Sequence, residues 1–468
     1  MVGAQGDNGT VTRTERLVLA IAVLASFVSF LDGSVINVAL PAISADLGGG
    51  LSTQQWVVDA YLITLGSLIL VAGSLSDVYG RIVVIRIGLI GFGVTSLMCA
   101  GAPTAEFLIV SRGLQGVAGA LLVPSSLALI LSTFRGAAQG KAIGQWTAWT
   151  SAAFLAGPLL GGVFVDYLSW RWVFAINVAP IAVTLGLLIA LGQKDVRQEG
   201  VRIDYISAAL GVVGLAGPVF ALIEQGNFGW SSPAIWVPGG VGLVCLAAFI
   251  RRQQVVTDPM MPLVLFRVRN FGLGNVATVF IYGALSLGSF VVTVYLQQTV
   301  GYSATLAGAA FLPVTILNIA LSSWIGSLSG RFGPRMFMTV GPILAGLGFL
   351  LTIGISEGAN YFTQVLPGIL VFGLGLTLTV APLTSAILGS ISERQAGIGS
   401  AINNAISRIA GLVTIALVGV IVGTLDAEGY QRGIVVTACL MFIGGLVSFA
   451  GIRNPRPESE APAGLDNT

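Results

Sequence analysis

The sequence predicts an all-α polytopic membrane protein of about fourteen spanning helices, and three observations carry that expectation. Of its 468 residues, 55% are hydrophobic and 9% charged, against roughly 25% charged for a soluble domain. Apolar stretches of about 18 to 26 residues recur from Leu17 to Phe449, the length needed to cross a hydrocarbon core of about 30 Å at about 1.5 Å per residue. Arginine and lysine collect in alternate loops, the pattern that separates cytoplasmic from external loops.

Glycine, proline and charge clusters break the apolar runs. They place spans at 17–40, 55–75, 82–101, 105–132, 142–166, 170–192, 204–224, 233–251, 271–296, 304–328, 335–356, 360–388, 397–424 and 433–452. Arg13 and Arg16 precede the first run as in a secretory signal. That run is too long for one and carries Asp32, so it reads as a retained first helix. With the N-terminus inside, the inner segments hold Arg13, Arg16, Arg81, Arg86, Arg135, Lys141, Lys194, Arg197, Arg202, Arg251, Arg252, Arg267, Arg269, Arg331, Arg335, Arg394, Arg453 and Arg456. The outer loops hold Arg171 and Arg432. Both termini are therefore expected in the cytoplasm.

An internal repeat organises the spans. Gly73-Ser74-Leu75-Ser76, followed by Tyr79-Gly80-Arg81, recurs 253 residues on as Gly326-Ser327-Leu328-Ser329, followed by Phe332-Gly333 and Arg335. Pro124 is echoed by Pro382 at an offset of 258, and Gln139 by Gln395 at 256. Such offsets imply two related halves around a midplane site. The expected layout is a tail at 1–16, a six-helix half at 17–192, two inserted helices within 193–252, a second six-helix half at 253–452, and a tail at 453–468.

Composition also excludes functions. A net charge of +2 with no dense basic run argues against nucleic acid as a partner. The chain has no histidine, and Cys99, Cys245 and Cys439 all fall in apolar stretches without metal-ligand spacing. No Gly-x-x-x-x-Gly-Lys-Ser/Thr loop is present, so ATP hydrolysis is not implied. An enzyme would require clustered nucleophiles, bases or metal ligands, and a sensor an output domain.

Few polar residues interrupt the spans. Asp32 lies in Leu31-Asp32-Gly33-Ser34-Val35-Ile36-Asn37-Val38-Ala39-Leu40-Pro41, where a carboxylate costs about 2.5–3.5 kcal/mol to insert. Binding and releasing a proton, or a structural bond to another helix, would account for it. Asp59 reads as a few residues past the outer end of the second span, placed for a second proton or for the positive end of the helix dipole. In Arg112-Gly113-Leu114-Gln115-Gly116-Val117-Ala118-Gly119, helical spacing puts Arg112, Gln115, Gly116 and Gly119 on one face. The arginine cannot lose its proton and needs a carboxylate or carbonyls beside it.

Gly73, Asp77, Gly80 and Arg81 fall at a tight turn, where Asp77 is placed to accept from Arg81 or to cap a helix of the other half. Gly157, Pro158, Gly161 and Gly162 combine small-residue spacing with a helix-bending proline. Trp170-Arg171-Trp172 reads as an interfacial anchor ahead of Asn177, and Glu224 as a solvated residue at the outer surface. Asn37, Gln115, Asn318 and Asn404 are candidate substrate contacts; Asn403, Asn404 and Arg408, near the cytoplasmic part of the thirteenth span, and Asn318 within the tenth are placed either to line the pathway or to link helices.

Together the four motifs beginning at Leu31, Gly73, Arg112 and Gly157 resemble the major facilitator superfamily, and within it the fourteen-helix drug/proton antiporter branch. The resemblance covers nearly the whole chain. Ser34 stands where threonine is more usual, and Ile82 and Val83 where further basic residues usually follow Arg81. It implies a monomeric multidrug or antibiotic exporter of the cell (inner) membrane, with lipid, protons and small lipophilic molecules as partners. No cofactor is implied beyond the proton gradient. Asp32, Asp59 and Arg112 would couple protons, Gly73, Asp77, Gly80 and Arg81 would form a conformational latch, and Gly157, Pro158, Gly161 and Gly162 an antiport seam. The tenth span lacks the acid carried by some relatives that export divalent organic cations, which points to neutral, zwitterionic or singly charged substrates. A dedicated exporter of one metabolite or lipid is the alternative within transport.

Overall fold

The computed structural model describes residues 12–192, 203–392 and 395–454. Among them the long elements are α1 (Arg13–Leu47), α2 (Gly50–Tyr79), α3 (Arg81–Ala100), α4 (Ala105–Thr133), α5 (Gly136–Tyr167), α6 (Trp172–Leu191), α7 (Tyr205–Phe228) and α8 (Pro233–Val255). They continue with α9 (Arg269–Gln298), α10 (Ala304–Phe332), α11 (Pro334–Leu351), α12 (Tyr361–Leu388), α13 (Ala396–Ala416) and α14 (Ala427–Gly451). Thirteen are long and apolar enough to cross a membrane. The remaining one, α13, is 21 residues long but carries Asn403, Asn404, Ser407 and Arg408. Lys194, Arg197, Arg202, Arg394, Arg456 and most of both expected tails lie outside the described residues.

The helices outrun the apolar segments, because polar residues beyond the hydrocarbon do not oppose helix formation. Thr12 and Glu15 close a capping box at the start of α1, with Glu15 N donating to Thr12 Oγ1 at 3.2 Å and Thr12 N to Glu15 Oε2 at 2.7 Å. The helix continues through Pro41 to Leu47, since one missing donor leaves the rest of its ladder intact. Gly48, Gly49 and Gly50, at φ +82°, +83° and +58°, reverse the chain into α2.

Helix contacts repeat along the chain. α1 packs on α4, α5 and α6, α2 on α4, and α3 on α4 and α6. In the same way α9 packs on α12, α13 and α14, α10 on α12, and α11 on α12 and α14. The hairpin of α7 and α8 leans on α2.

These two sets of helices meet closely at the end of the bundle away from the described termini. There Gln55 Nε2 of α2 donates to the carbonyls of Ile415 at 2.7 Å and Ala416 at 3.1 Å. Asp166 of α5 accepts from the backbone N–H groups of Ala304 at 3.0 Å and Thr305 at 2.8 Å. A Cβ on Gly162 would collide with the backbone of Ala304 and Thr305, and one on Gly308 with the carbonyl of Pro158. At the opposite end Gly73, Gly140, Gly144, Gly326 and Gly330 have open space where a Cβ would stand, and Trp149 and Trp324 are each 59% exposed. The bundle is sealed at one end and parted at the other.

Candidate functional site

Midway along α1, the Asp32 carboxylate is fully enclosed, and α4 brings the compensating charge. Arg112 Nη1 reaches Asp32 Oδ2 at 2.6 Å, and both side chains are only 1% exposed. Spacing on α4 dictates the rest: Gln115, one turn on, takes a second Arg112 hydrogen bond at 2.7 Å and donates Nε2 to Asp32 Oδ1 at 3.1 Å. Arg112 Nε is satisfied by the Val57 carbonyl of α2 at 2.9 Å, and its guanidinium carbon lies 4.3 Å from the centre of the Tyr61 ring. Asn177 of α6 donates Nδ2 to Asp32 Oδ1 at 3.0 Å, and Ser96 of α3 accepts from Gln115 at 2.9 Å. Five helices thus contribute to one network, in which α4 and α6 supply the hydrogen bonds to the α1 carboxylate.

Asp59 stands apart from this network. It is the tenth residue of α2, not a residue at the helix start, because Leu51–Gln54 fold into the first turn where a loop was expected. Its carboxyl is wholly buried, and neither oxygen has a hydrogen-bond partner. One turn away, Trp56 packs its ring on Phe220 of α7 at 6.1 Å, so the α7–α8 hairpin borders this face.

The profile of the Major Facilitator Superfamily matches residues 22–202, 196–415 and 274–467. The chain belongs to that superfamily. It is a multi-pass membrane transporter, not an enzyme. The puromycin resistance protein pur8 of Streptomyces alboniger is 33% identical over 416 residues, 86% of this chain and 81% of that protein. The multidrug resistance protein Stp of Mycobacterium tuberculosis is 32% identical over 87% of this chain and 76% of its own length. The methylenomycin A resistance protein of Bacillus subtilis is 32% identical, over 86% and 87% respectively. Among solved structures, a peptide transporter bound to sulfate superposes with a TM-score of 0.70 at 14% identity, covering 95% of both chains. A D-xylose-proton symporter gives 0.67 at 14%, over 94% of this chain and 98% of that one. At such identity these two establish the superfamily fold alone.

Within that fold the other sequence candidates separate. Gly73 lies inside α2 and not in the turn, which Gly80 makes alone at φ +97°. Asp77 and Arg81 lie 3.7 Å apart, both partly exposed. Gly157 and Gly161 face Ser34 and Val35 of α1, whereas Gly162 meets α10. The whole amide of Gln115, a candidate substrate contact by sequence, is buried and engaged in the Asp32 network. Asn37, Asn318 and Asn404 are partly exposed, and Asn403 links helices by donating to Asn275 and Thr278, each at 3.0 Å. Glu224 is not simply solvated: Trp56 and Asn227 donate to it at 2.7 Å and Ser52 at 3.3 Å. Trp170 is likewise more than an anchor, buried and donating to Asp46 at 3.0 Å. Sequence reading passed over Ser96 and, as a ligand of Asp32, Asn177. A polar amide inside the apolar run after Trp172 was the available signal.

Proposed function

We propose that this transporter exports small lipophilic molecules, neutral or singly charged, in exchange for protons, by alternating access. The observation that carries the reading is the enclosed Asp32–Arg112 pair, with Gln115 and Asn177 completing the carboxylate's shell. An ionisable pair so costly in the membrane interior marks a site where charge is handled. Protonation of Asp32 would release Arg112, and Arg112 bridges α1, α2 and α4, so a proton at one atom changes the bonds among three helices. Asp59 is a second acid on the same side of the molecule and assists. Two six-helix halves, 17–192 and 253–452, rock about the cavity between them, with the helices of 193–252 as an inserted pair. The parted end faces the cytoplasm with both termini, so this conformation loads substrate from the cytoplasm or inner leaflet of the cell membrane. The protein acts as a monomer. Asp77 and Arg81 hold the opposite conformation when that end closes.

One proton crossing about 150 mV supplies roughly 3.5 kcal/mol, enough for a substrate gradient of a few hundredfold at about 1.4 kcal/mol per tenfold. Two of the relatives are named for single antibiotics, puromycin and methylenomycin A, which supports a second reading as a dedicated exporter of one compound. Purified protein in proteoliposomes under an imposed pH gradient, screened across dyes, antibiotics and lipids, tests the proposal. Substrate movement that a protonophore abolishes is expected. Movement indifferent to the gradient would overturn proton exchange.

A further inference from the structure

The face of α1 opposite its buried carboxylate has its own chemistry. Phe27, Phe30, Gly33 and Asn37 are three or four residues apart and all partly exposed, while Asp32 turns away into α4 and α6. From the other set of helices, Arg408 of α13 crosses to this face. Its Cβ lies 3.7 Å from where a Cβ on Gly66 of α2 would stand, and its Nη1 at the same distance from one on Gly33. Its guanidinium carbon is 5.4 Å from the centre of the Phe30 ring. Asn404 lies one turn before it on α13, and Tyr282 of α9 is also partly exposed. Among the described residues no hydrogen bond or ion pair holds the Arg408 guanidinium. Asp32, next to Gly33 on α1, is already engaged by Arg112, and the Asp59 carboxyl of α2 is buried without a hydrogen-bond partner.

A permanent cation at mid-span depth without a counter-charge calls for one from elsewhere. The planar fork of arginine matches a carboxylate in two parallel hydrogen bonds, and aromatic rings beside it accept a flat apolar body. Gly33, with no side chain, lets the Arg408 guanidinium lie close to the α1 backbone beside Phe30. We propose that this face is a substrate subsite for lipophilic monoanions, a flat unsaturated body bearing one carboxylate, with Arg408 as its anchor. A cation of the same shape meets like charge and is selected against. This deepens the export reading and rests on it.

The test uses purified protein in lipid nanodiscs and three fluorescent probes built on one naphthalene body, ending in a carboxylate, its methyl amide or an alkylamine. The native protein should bind the carboxylate about tenfold or more tightly than the amide, as charge-assisted hydrogen bonds allow, and the amine most weakly. Arg408→Gln should bring the carboxylate-to-amide ratio to about one. Arg408→Lys should leave an intermediate ratio, since it keeps the charge without the fork. A ratio near one in the native protein, or one unmoved by Arg408→Gln, overturns the subsite. If Arg408→Gln does not fold, the native and Arg408→Lys ratios decide. Transport of the amide under a pH gradient in proteoliposomes is read separately. Amide and carboxylate moving alike sinks the anion preference alone, whereas no movement of any probe, with the binding ratio intact, counts against the export reading.

Discussion

The helices α1–α6 and the helices α9–α14 make the same set of contacts with different chemistry. Gly80 and Gly333, 253 residues apart, both take positive φ, at +97° and +85°, to join consecutive helices. Where the first set has Asp77, however, the second has Gly330 at that offset, and at the offset of 258 that relates Pro124 to Pro382, Leu370 stands in the place of Arg112. Among the described residues the second set packs without a buried ion pair, so these contacts form without one. An enclosed charge pair with several further hydrogen bonds, present where the sister set has none among the described residues, is what the proposed proton exchange would act through. Packing belongs to both sets, and the buried ion pair among the described residues to the first.

The largest effect should come from breaking that asymmetry at its centre. Asp32→Asn removes the carboxylate and leaves Arg112 with an amide, whose N–H groups confront the donors of Gln115 and Asn177. Loss of one partner of a buried pair costs about 3–5 kcal/mol, so the variant should lose pH-driven transport and unfold at lower temperature. Combining it with Arg112→Gln should recover most of the stability and none of the transport. Recovery of gradient-driven transport in the double variant would show that the pair is structural, as in the sister set it is dispensable.

That asymmetry was partly legible in the sequence. Spanning helices announce themselves by apolar length, and Asp32 and Arg112 by their rarity in apolar surroundings. Their pairing was not fixed by spacing, because Arg112 could have answered either acid, and only the crossing of α1 with α4 decides between them. The partners of Gln115 were hidden for the same reason: periodicity gives its face on α4 but not what that face meets. Asn177 and Ser96 join from helices far apart in sequence, beyond the reach of local pattern. The depth of Asp59 was hidden by the polar start of α2, which reads as a loop although it is helix.

If the second set contributes mechanics, its most sensitive position should be a contact, not a charge. Gly308 lies against the Pro158 carbonyl at the sealed end. Gly308→Val should wedge that seal open and lower the transport rate by an order of magnitude or more, with binding of substrate to detergent-solubilised protein less affected. Overpacking of about 1–3 kcal/mol is sufficient for this. Unchanged rates would mean that the close approach is incidental to closure.

A smaller effect is expected where the two sets share one bond. Asp166 of α5 caps the start of α10 through Ala304 and Thr305, an arrangement whose loss costs about 0.5–2 kcal/mol. Asp166→Asn keeps one acceptor and weakens the charge, so the sealed end should open more often by a few fold. Labelling of an Ala304→Cys variant with an impermeant thiol reagent from the sealed side, with and without the Asp166 substitution, reads the change directly. Equal labelling would remove Asp166 from the seal.

The smallest effect belongs to the α7–α8 hairpin, which has no counterpart in either set. Asp204 caps α7 through Ser207 N at 3.0 Å and takes Arg252 at the end of α8, Nε at 3.0 Å and Nη2 at 3.0 Å. Partial burial pushes the Asp204 carboxyl up, but the hydrogen bonds from Arg252 and Ser207 outweigh it and hold the group below the usual carboxylate range. A carboxyl depressed in the folded protein stabilises it fully above the ordinary value of about 4 and less as pH falls through its own lower value. Asp204→Ala should therefore lower hairpin stability by about 1 kcal/mol at neutral pH, and the difference from the native protein should shrink as unfolding is followed below pH about 4. Because the hairpin lies outside the contacts that α1–α6 and α9–α14 have in common, transport by this variant should stay within about twofold of native. A loss as large as that of Asp32→Asn would place the α7–α8 hairpin inside the working cycle, and with it would fall the proposed division of labour between the two sets.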